Sequence, residues 1–420
     1  MYRRGGKKGR NEVRTADTNT RVFYLGTKIV HGLNSIGETG PEFKNFGGTK
    51  ALVVTDNGVR NAGHVEKVLQ SLEEAGVAYA VFDEVEEDPG GATVGKGAEL
   101  ASSERCDGIV VVGGGSPICA GRGIGVVVTN GGKIRDYTGL NKAKKPPLPL
   151  IAIPTTAGSG AEVSQFIVLK DEELHTKMVA GSPLYCPKVA ILDPLLLKGL
   201  SFGQFVSSGV DALGHSVEAY LTTLTTPITD AIALQAVAMI HGNLRAAATS
   251  DDLDAKEACL IASTMANMAG GNARLGLVHL MTNPVEGMFK ISHGIAVGIL
   301  LPYVMEFNLP ASHVRAASLA RAMGENDSGR SIEDLAPRAL IALKRLLADL
   351  CFPRKYSEPQ IDRKSIPQMA AMAMGGQYSV YDPDKEYSMT ALVPTANIRK
   401  ATMGDLIRLY EKAFEGWECV

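Results

Sequence analysis

The stretch VDALGHSVEAY places Asp211 and His215 four residues apart. On a helix that spacing turns both side chains toward one point on the same face. Two further histidines follow in the same half of the chain, His279 in LGLVHLM and His293 in ISHGIAVG, fourteen residues apart. One carboxylate and three imidazoles suit a borderline divalent ion such as Fe(II) or Zn(II), and they leave coordination positions for an alcohol or aldehyde oxygen. Such an ion polarises that oxygen and readies the neighbouring carbon for hydride loss. A single histidine is more often a hydrogen-bonded core residue than a ligand, so the case rests on the set; spacing alone does not bring the four together. His31, His64, His175, His241 and His313 fall outside these motifs and read as structural or surface residues.

A second group of residues suits a nucleotide. In GIVVVGGGSP, Gly113, Gly114 and Gly115, followed by Ser116 and Pro117, come directly after an apolar strand and before a helix-compatible stretch. That arrangement lets backbone N–H groups approach a pyrophosphate at a helix N-terminus, where the partial positive charge attracts it. A tight turn accounts for a glycine run equally well. Asp56 ends the KALVVTD strand, where its carboxylate can accept from an adenosine ribose and repel a 2′-phosphate, which predicts NAD over NADP; a plain turn aspartate is the alternative. PTTAGSGAE puts the Thr155 and Thr156 hydroxyls at the end of the LIAI strand, where open α/β sheets bind ligands. The glycine spacing is not GxGxxG, so a variant of the usual dinucleotide fold is expected.

The elements that must position these residues divide the chain. At 420 residues it exceeds the size at which one hydrophobic core keeps growing, so two domains around a cleft are expected. From about residue 22 to 200, short β-branched runs alternate with amphipathic stretches, the pattern of βαβ units and a largely parallel sheet. The strand candidates are RVFYLG, KALVVTD, AYAVFD, GIVVVGGG, LIAIPTT, SQFIVL and VAILDP. Val65, Val68, Leu69 and Leu72 recur at helical spacing between the second and third of these, with Gly76 as a stop. After Asp193 and Pro194, long Ala-, Leu- and Met-rich segments take over, so the expected division is a disordered basic tail at 1–20, a dinucleotide-binding α/β domain at 21–200 and an all-α metal-binding domain at 201–420.

Composition narrows the function classes. Hydrophobic residues at 45% and charged residues at 21% describe an ordinary soluble globular protein. A formal net charge of −2 gives no global field for nucleic acid or an anionic membrane, which leaves small molecules as partners. The first fourteen residues, MYRRGGKKGRNEVR, interleave basic residues with glycine and carry almost no apolar surface. They lack the apolar segment of a secretory signal, and no stretch reaches the roughly 18 apolar residues of a membrane span, so a cytoplasmic location is expected. Six cysteines without CxxC spacing argue against both a disulfide framework and a thiolate zinc site.

With these motifs in order, the chain resembles the iron-containing (group III) alcohol dehydrogenase family from about residue 22 to the C-terminus, through its GGGS loop, PTTAGSGAE segment, DALGHSVEAY helix and VH(x13)HG spacing. The resemblance implies a Rossmann-like N-terminal domain, a helical C-terminal domain (the dehydroquinate synthase-like fold), a cleft for NAD(P) and metal, and a homodimer or larger assembly. It places the metal ligands on Asp211, His215, His279 and His293, the phosphate loop on Gly113, Gly114, Gly115 and Ser116, and the NAD-selecting acid on Asp56. Thr155 and Thr156 line the cofactor cleft, and Pro117 and Lys177 complete the expected cofactor-binding set. Two departures stand out. Cys119 and Arg122 replace the family's usual aspartate and lysine after GGGS, and Asn283 stands where many members carry a second histidine that helps relay the proton. Asparagine cannot titrate, so the proton must leave by water or another group. Cys119 reads either as a redox-sensitive thiol near the cofactor or as a buried inert cysteine. Arg122, together with the segment from Asn283 to Lys290, is a candidate lining for an anionic aldehyde such as a phosphonate or sulfonate.

The leading expectation is reversible hydride transfer between NAD(H) and a small primary alcohol or aldehyde. A lyase or cyclase of the dehydroquinate synthase type shares the fold but is opposed by the DALGHSVEAY helix. A non-catalytic regulatory or scaffold protein is the third reading, motivated by Cys119 and Asn283 and opposed by the intact ligand set.

Overall fold

Among the described residues, the apolar runs of the first 200 supply nine strands: β1 (Lys28–His31), β2 (Lys50–Val54), β3 (Ala78–Phe82), β4 (Gly108–Gly113), β5 (Gly139–Leu140), β6 (Leu150–Pro154), β7 (Phe166–Asp171), β8 (Thr176–Gly181) and β9 (Val189–Leu192). The computed structural model describes residues 20–171, 176–289, 291–357, 361–376 and 396–418. Residues 1–19 of the expected basic tail, together with His175, Lys290 and Cys419, lie outside the described residues.

Six strands form one sheet in the order β1-β9-β6-β4-β2-β3, parallel at every pairing. Every residue of β4, β6 and β9 is buried, which is why these strands read as unbroken apolar runs: helices cover both faces. Successive residues alternate between two apolar layers, Ile109, Val111 and Ala152 on one side and Val110, Val112, Ile151 and Ile153 on the other. The helix His64–Glu74 buries Val65, Val68 and Leu72 and joins β2 to its parallel neighbour β3, as its spacing predicts.

The structure revises the strand expectations in two places. RVFYLG is not a strand; the first strand, β1, begins two residues later and pairs with β9. Val22 is 76% exposed, and the backbone of Tyr24 is occupied by a side chain: its N–H donates to Asn272 Oδ1 at 2.7 Å and its carbonyl accepts from Asn272 Nδ2 at 3.0 Å. An amide has taken the place of a neighbouring strand. The second revision is a small separate sheet, β5-β8-β7, in which β7 and β8 pair antiparallel.

Among the described residues beyond Leu192 the regular structure is helical, apart from an isolated bridge between Thr222 and Asn397. The helix Phe202–Tyr220 opens on a capping box, in which Ser201 Oγ accepts from the Gln204 N–H and Gln204 Oε1 accepts from the Ser201 N–H. It runs through the helical core with buried residues on all sides, against the helices Pro227–Thr249, Leu253–Ala273 and His293–Asn308. The segment His293–Ala311 is long and apolar enough to cross a membrane by length and composition, which the sequence reading did not anticipate. Two thirds of it, 67%, is buried inside the fold, the condition of a core helix.

Candidate active site and metal centre

The chain leaves β2 for the edge strand β3 and returns to β4 on the other side of β2, so the carboxyl ends of β2 and β4 flank a switch in strand order. Open parallel sheets bind ligands at such a point. Gly113 ends β4, and the helix Gly115–Asn130 begins at once, with no side chain capping its first turn at Gly114. The orphan N–H groups and the positive helix end therefore face the switch point. A Cβ on Gly114 would lie 3.3 Å from Thr156 Oγ1, and one on Gly115 3.1 Å from Ser159 Oγ. Bare backbone walled by hydroxyls is a cradle that a side chain would fill, and it fits a pyrophosphate. Thr155 is tied to the loop through its N–H, which donates to the Gly113 carbonyl at 3.1 Å, and Pro117 is buried behind it. Asp56 follows β2 and caps the short helix Asn57–Asn61, its Oδ1 accepting from the Val59 N–H at 2.9 Å.

Lys177, on β8, is already engaged. Its Nζ lies 2.5 Å from Asp88 Oδ1 and 3.4 Å from Glu286 Oε2. Burial lowers its pKa, but the two carboxylates outweigh burial and hold the ammonium above its ordinary range.

Arg122 does not line a cleft. It is 3% exposed, and it donates to the Ser164 carbonyl at 2.7 Å, to the Ile118 carbonyl at 3.4 Å and to Cys119 Sγ at 3.3 Å. Its guanidinium is committed to the protein interior, so the expectation of an anion-recruiting arginine is corrected. Cys119 is buried beside it.

All four expected metal ligands meet. Ligand atoms of Asp211, His215 and His279 lie within 4.8 Å of one another. His293 joins them with its Nε2 3.3 Å from Asp211 Oδ1, and at 39% side-chain exposure it closes the group on the open side. Each imidazole is fixed through Nδ1. In His215 that atom faces the Asp211 carbonyl at 3.0 Å, in His279 it faces Glu218 Oε2 at 2.6 Å, and in His293 it faces Glu286 Oε1 at 2.5 Å. Such contacts set the tautomer and leave Nε2 as a lone pair. Glu218 is held in turn by the N–H groups of Val278 and His279. Gly294 allows the close approach of two of the helices involved, since a Cβ there would sit 2.2 Å from the Ser207 carbonyl oxygen.

Asp211 Oδ1 and His279 Nε2 are buried and have no hydrogen-bond partner. Buried polar atoms are otherwise almost always paired. A divalent cation would satisfy both at once, and the donor set of one carboxylate and three imidazoles is the right chemistry for it. Charge within the cluster is already skewed toward this. Burial pushes the Asp211 carboxyl up, but His215 and His293 outweigh burial and hold it well below the usual carboxylate range. Burial pulls His279 and His293 down; the nearby Asp211 and Glu218 carboxylates raise the first overall, and Glu286 and Asp211 raise the second well above the ordinary imidazole value.

Three residues of this site went unread in the sequence: Glu218, Glu286 and Asp88. A signal existed for two of them. Asp211, His215 and Glu218 stand at i, i+4 and i+7, and Glu286 is seven residues past His279, so each shares a helix face with a candidate ligand.

A phosphate-type cradle at the sheet's switch point and a carboxylate–trihistidine cluster in the helical half describe the metal-assisted dehydrogenases. Residues 26–194 match the family model described as iron-containing alcohol dehydrogenase, and residues 205–413 match the C-terminal model of the Fe-containing alcohol dehydrogenase family. The chain belongs to the iron-containing alcohol dehydrogenase family. It is 41% identical over 370 residues to a 1,3-propanediol dehydrogenase of Citrobacter freundii, covering 87% of this chain and 96% of that one. It is 38% identical over 352 residues to an NAD-dependent methanol dehydrogenase of Bacillus methanolicus, covering 84% and 92%. A crystal structure of a 1,3-propanediol oxidoreductase superposes with a TM-score of 0.88 at 37% identity, covering 94% of this chain and all of that one. The protein is accordingly an oxidoreductase of the alcohol–aldehyde class. These relatives are all oxidoreductases, and none supports the lyase or the non-catalytic reading.

Proposed function

We propose that the protein transfers a hydride reversibly between NAD(H) and a small primary alcohol or aldehyde, using a divalent iron or zinc ion held by Asp211, His215, His279 and His293. The observation that carries this is the convergence of three imidazoles, each fixed through Nδ1, on the unpaired carboxylate oxygen of buried Asp211. A metal bound there supplies Lewis acidity that lowers the pKa of an alcohol hydroxyl.

The protein's own groups do the rest. The N–H groups at the start of the Gly115–Asn130 helix, with Ser116, hold the pyrophosphate, and Thr155 and Thr156 line the approach to the nicotinamide. Asp56 accepts from the adenosine ribose and disfavours a 2′-phosphate. Pro117 backs the loop, and Lys177 stands at the cofactor side of the cleft. Asn283, one helical turn past His279, offers an amide but no titratable proton, so the hydroxyl proton leaves through water or another group. The short alcohols named for the two relatives support a small substrate. The same reading makes the protein a cytoplasmic homodimer or larger homo-oligomer that engages neither nucleic acid nor membrane.

A panel of short primary alcohols and aldehydes, with NAD(H) absorbance as the readout, tests this reading. Turnover that requires added iron or zinc supports it. Absence of turnover with every member, when both metal and NADH are bound, refutes it.

A further inference from the structure

We infer that Lys177 and Glu286 form a strut between the cofactor loop and the metal centre, so that nicotinamide cofactor and metal reinforce each other's binding through His293. This rests on the reading above that metal and cofactor occupy these two sites.

The three imidazoles are not anchored alike. His215 is fixed by the backbone of its own helix, and His279 by Glu218, whose remaining contacts are N–H groups of the same helical half. Glu286 is different: one oxygen faces His293 Nδ1, and the other faces Lys177, which belongs to β8 of the α/β half. The chain of contacts continues. Lys177 Nζ meets Asp88 Oδ1 at 2.5 Å, and the Asp88 N–H donates to Ser116 Oγ at 3.2 Å. Asp88 holds a left-handed backbone conformation, φ +57°, that directs its N–H to the loop while its carboxylate reaches the lysine. A continuous path of polar contacts thus runs from Ser116 through Asp88, Lys177 and Glu286 to His293.

The end of this path at Ser116 is open to a phosphate. A serine hydroxyl has one proton to donate and two lone pairs. It can accept from Asp88 and donate to a phosphate oxygen at the same time, so a bound pyrophosphate fixes Ser116 without displacing Asp88. Fixing Ser116 keeps Asp88, and hence Lys177, seated against Glu286. At the other end, a carboxylate held on the far nitrogen of a ligating histidine orients the ring and raises its basicity. Among the four candidate ligands, His293 is also the most exposed, and so the one whose position most needs such a tie. Glu286 and Lys177 are positioning residues in this scheme. Because binding free energies are reciprocal, what cofactor does for metal, metal must do for cofactor.

The test is a Co(II) titration of metal-stripped, full-length protein with and without saturating NADH, read from the visible d–d absorption bands, on wild type, Lys177→Met, Lys177→Arg, Glu286→Gln and, as the control for the metal site, His279→Ala. In wild type, NADH should tighten Co(II) by about fivefold or more. Lys177→Met should still bind Co(II) with the ratio reduced to near one, and Lys177→Arg should restore part of it. Glu286→Gln should lose the ratio and also shift the d–d spectrum, which reports the His293 geometry. If Lys177→Met fails to fold or to bind NADH, the decision passes to Glu286→Gln. A wild-type ratio retained in Glu286→Gln, or a ratio of one in wild type with both ligands bound, overturns the inference. Wild type that binds no Co(II), or Co(II) binding untouched by His279→Ala, instead overturns the metal reading on which it rests.

Discussion

Glu218 and His279 form a buried carboxylate–imidazole pair 2.6 Å apart, joining the helix Phe202–Tyr220 to the helix Leu277–Met288. The Glu218 carboxylate is spent on His279 Nδ1 and two backbone N–H groups, and so serves to aim the ring. Glu218→Ala should leave all four metal-binding side chains in place yet weaken metal affinity by about 10- to 100-fold. Competition against a chelator measures this, and unchanged affinity would remove Glu218 from the site.

The pH dependence of metal binding follows from the raised pKa values of His279 and His293. In the metal-free protein their protonation stabilises the fold fully below the ordinary imidazole value of 6.5, and that contribution is lost as pH rises through the raised folded values. Metal must displace these protons, so its affinity increases over the same window. The melting-temperature gap between metal-loaded and metal-stripped protein should therefore widen as pH rises toward the raised folded values and level off above them. A gap independent of pH would mean that these histidines do not release protons to the metal.

The capping role of Asp56 and its proposed role in cofactor choice can be separated. As an N-cap it accepts from the Val59 N–H, and asparagine can do the same. In its proposed cofactor role its negative charge disfavours a 2′-phosphate, and asparagine carries none. Asp56→Asn should keep the melting temperature while raising the kcat/KM ratio of NADPH to NADH on the order of tenfold, the equivalent of about 1.4 kcal/mol. No change in that ratio would reduce Asp56 to a cap.

Asn283 lies one helical turn beyond His279 on the same helix, which places the two residues on one helix face. Asn283→His should introduce an inflection near pH 6.5 into the kcat profile. The rate above it should rise by no more than about 100-fold, the lower end of what a positioned general base contributes. A profile identical to wild type would place the proton route elsewhere.

What the sequence disclosed depended on how local the geometry is. The Asp211–His215 pairing is a property of one helix, and the fully buried strands β4, β6 and β9 announce themselves as apolar runs with glycine or proline at or near their ends. The convergence of His279 and His293 depends on how three helices pack, including the contact of Gly294 with Ser207, and only the family resemblance anticipated it. RVFYLG misled because alternation says nothing about whether a sheet edge is free to receive it; Asn272 had claimed that backbone. Arg122 misled in the other direction, since a charged residue beside a glycine loop suggests a ligand contact, whereas its partners are Ser164, Ile118 and Cys119. Glu218 and Glu286 carried only the weak signal of helical spacing from a candidate ligand, and Asp88 carried none, because carboxylates are common on helix and loop surfaces.

The most direct test of the central claim is metal content by elemental analysis together with NADH binding, on wild type and His279→Ala. Stoichiometric iron or zinc in wild type, lost in the variant while NADH binding persists, is the predicted result. Wild type that binds NADH but takes up no metal under anaerobic iron or zinc loading would contradict the account.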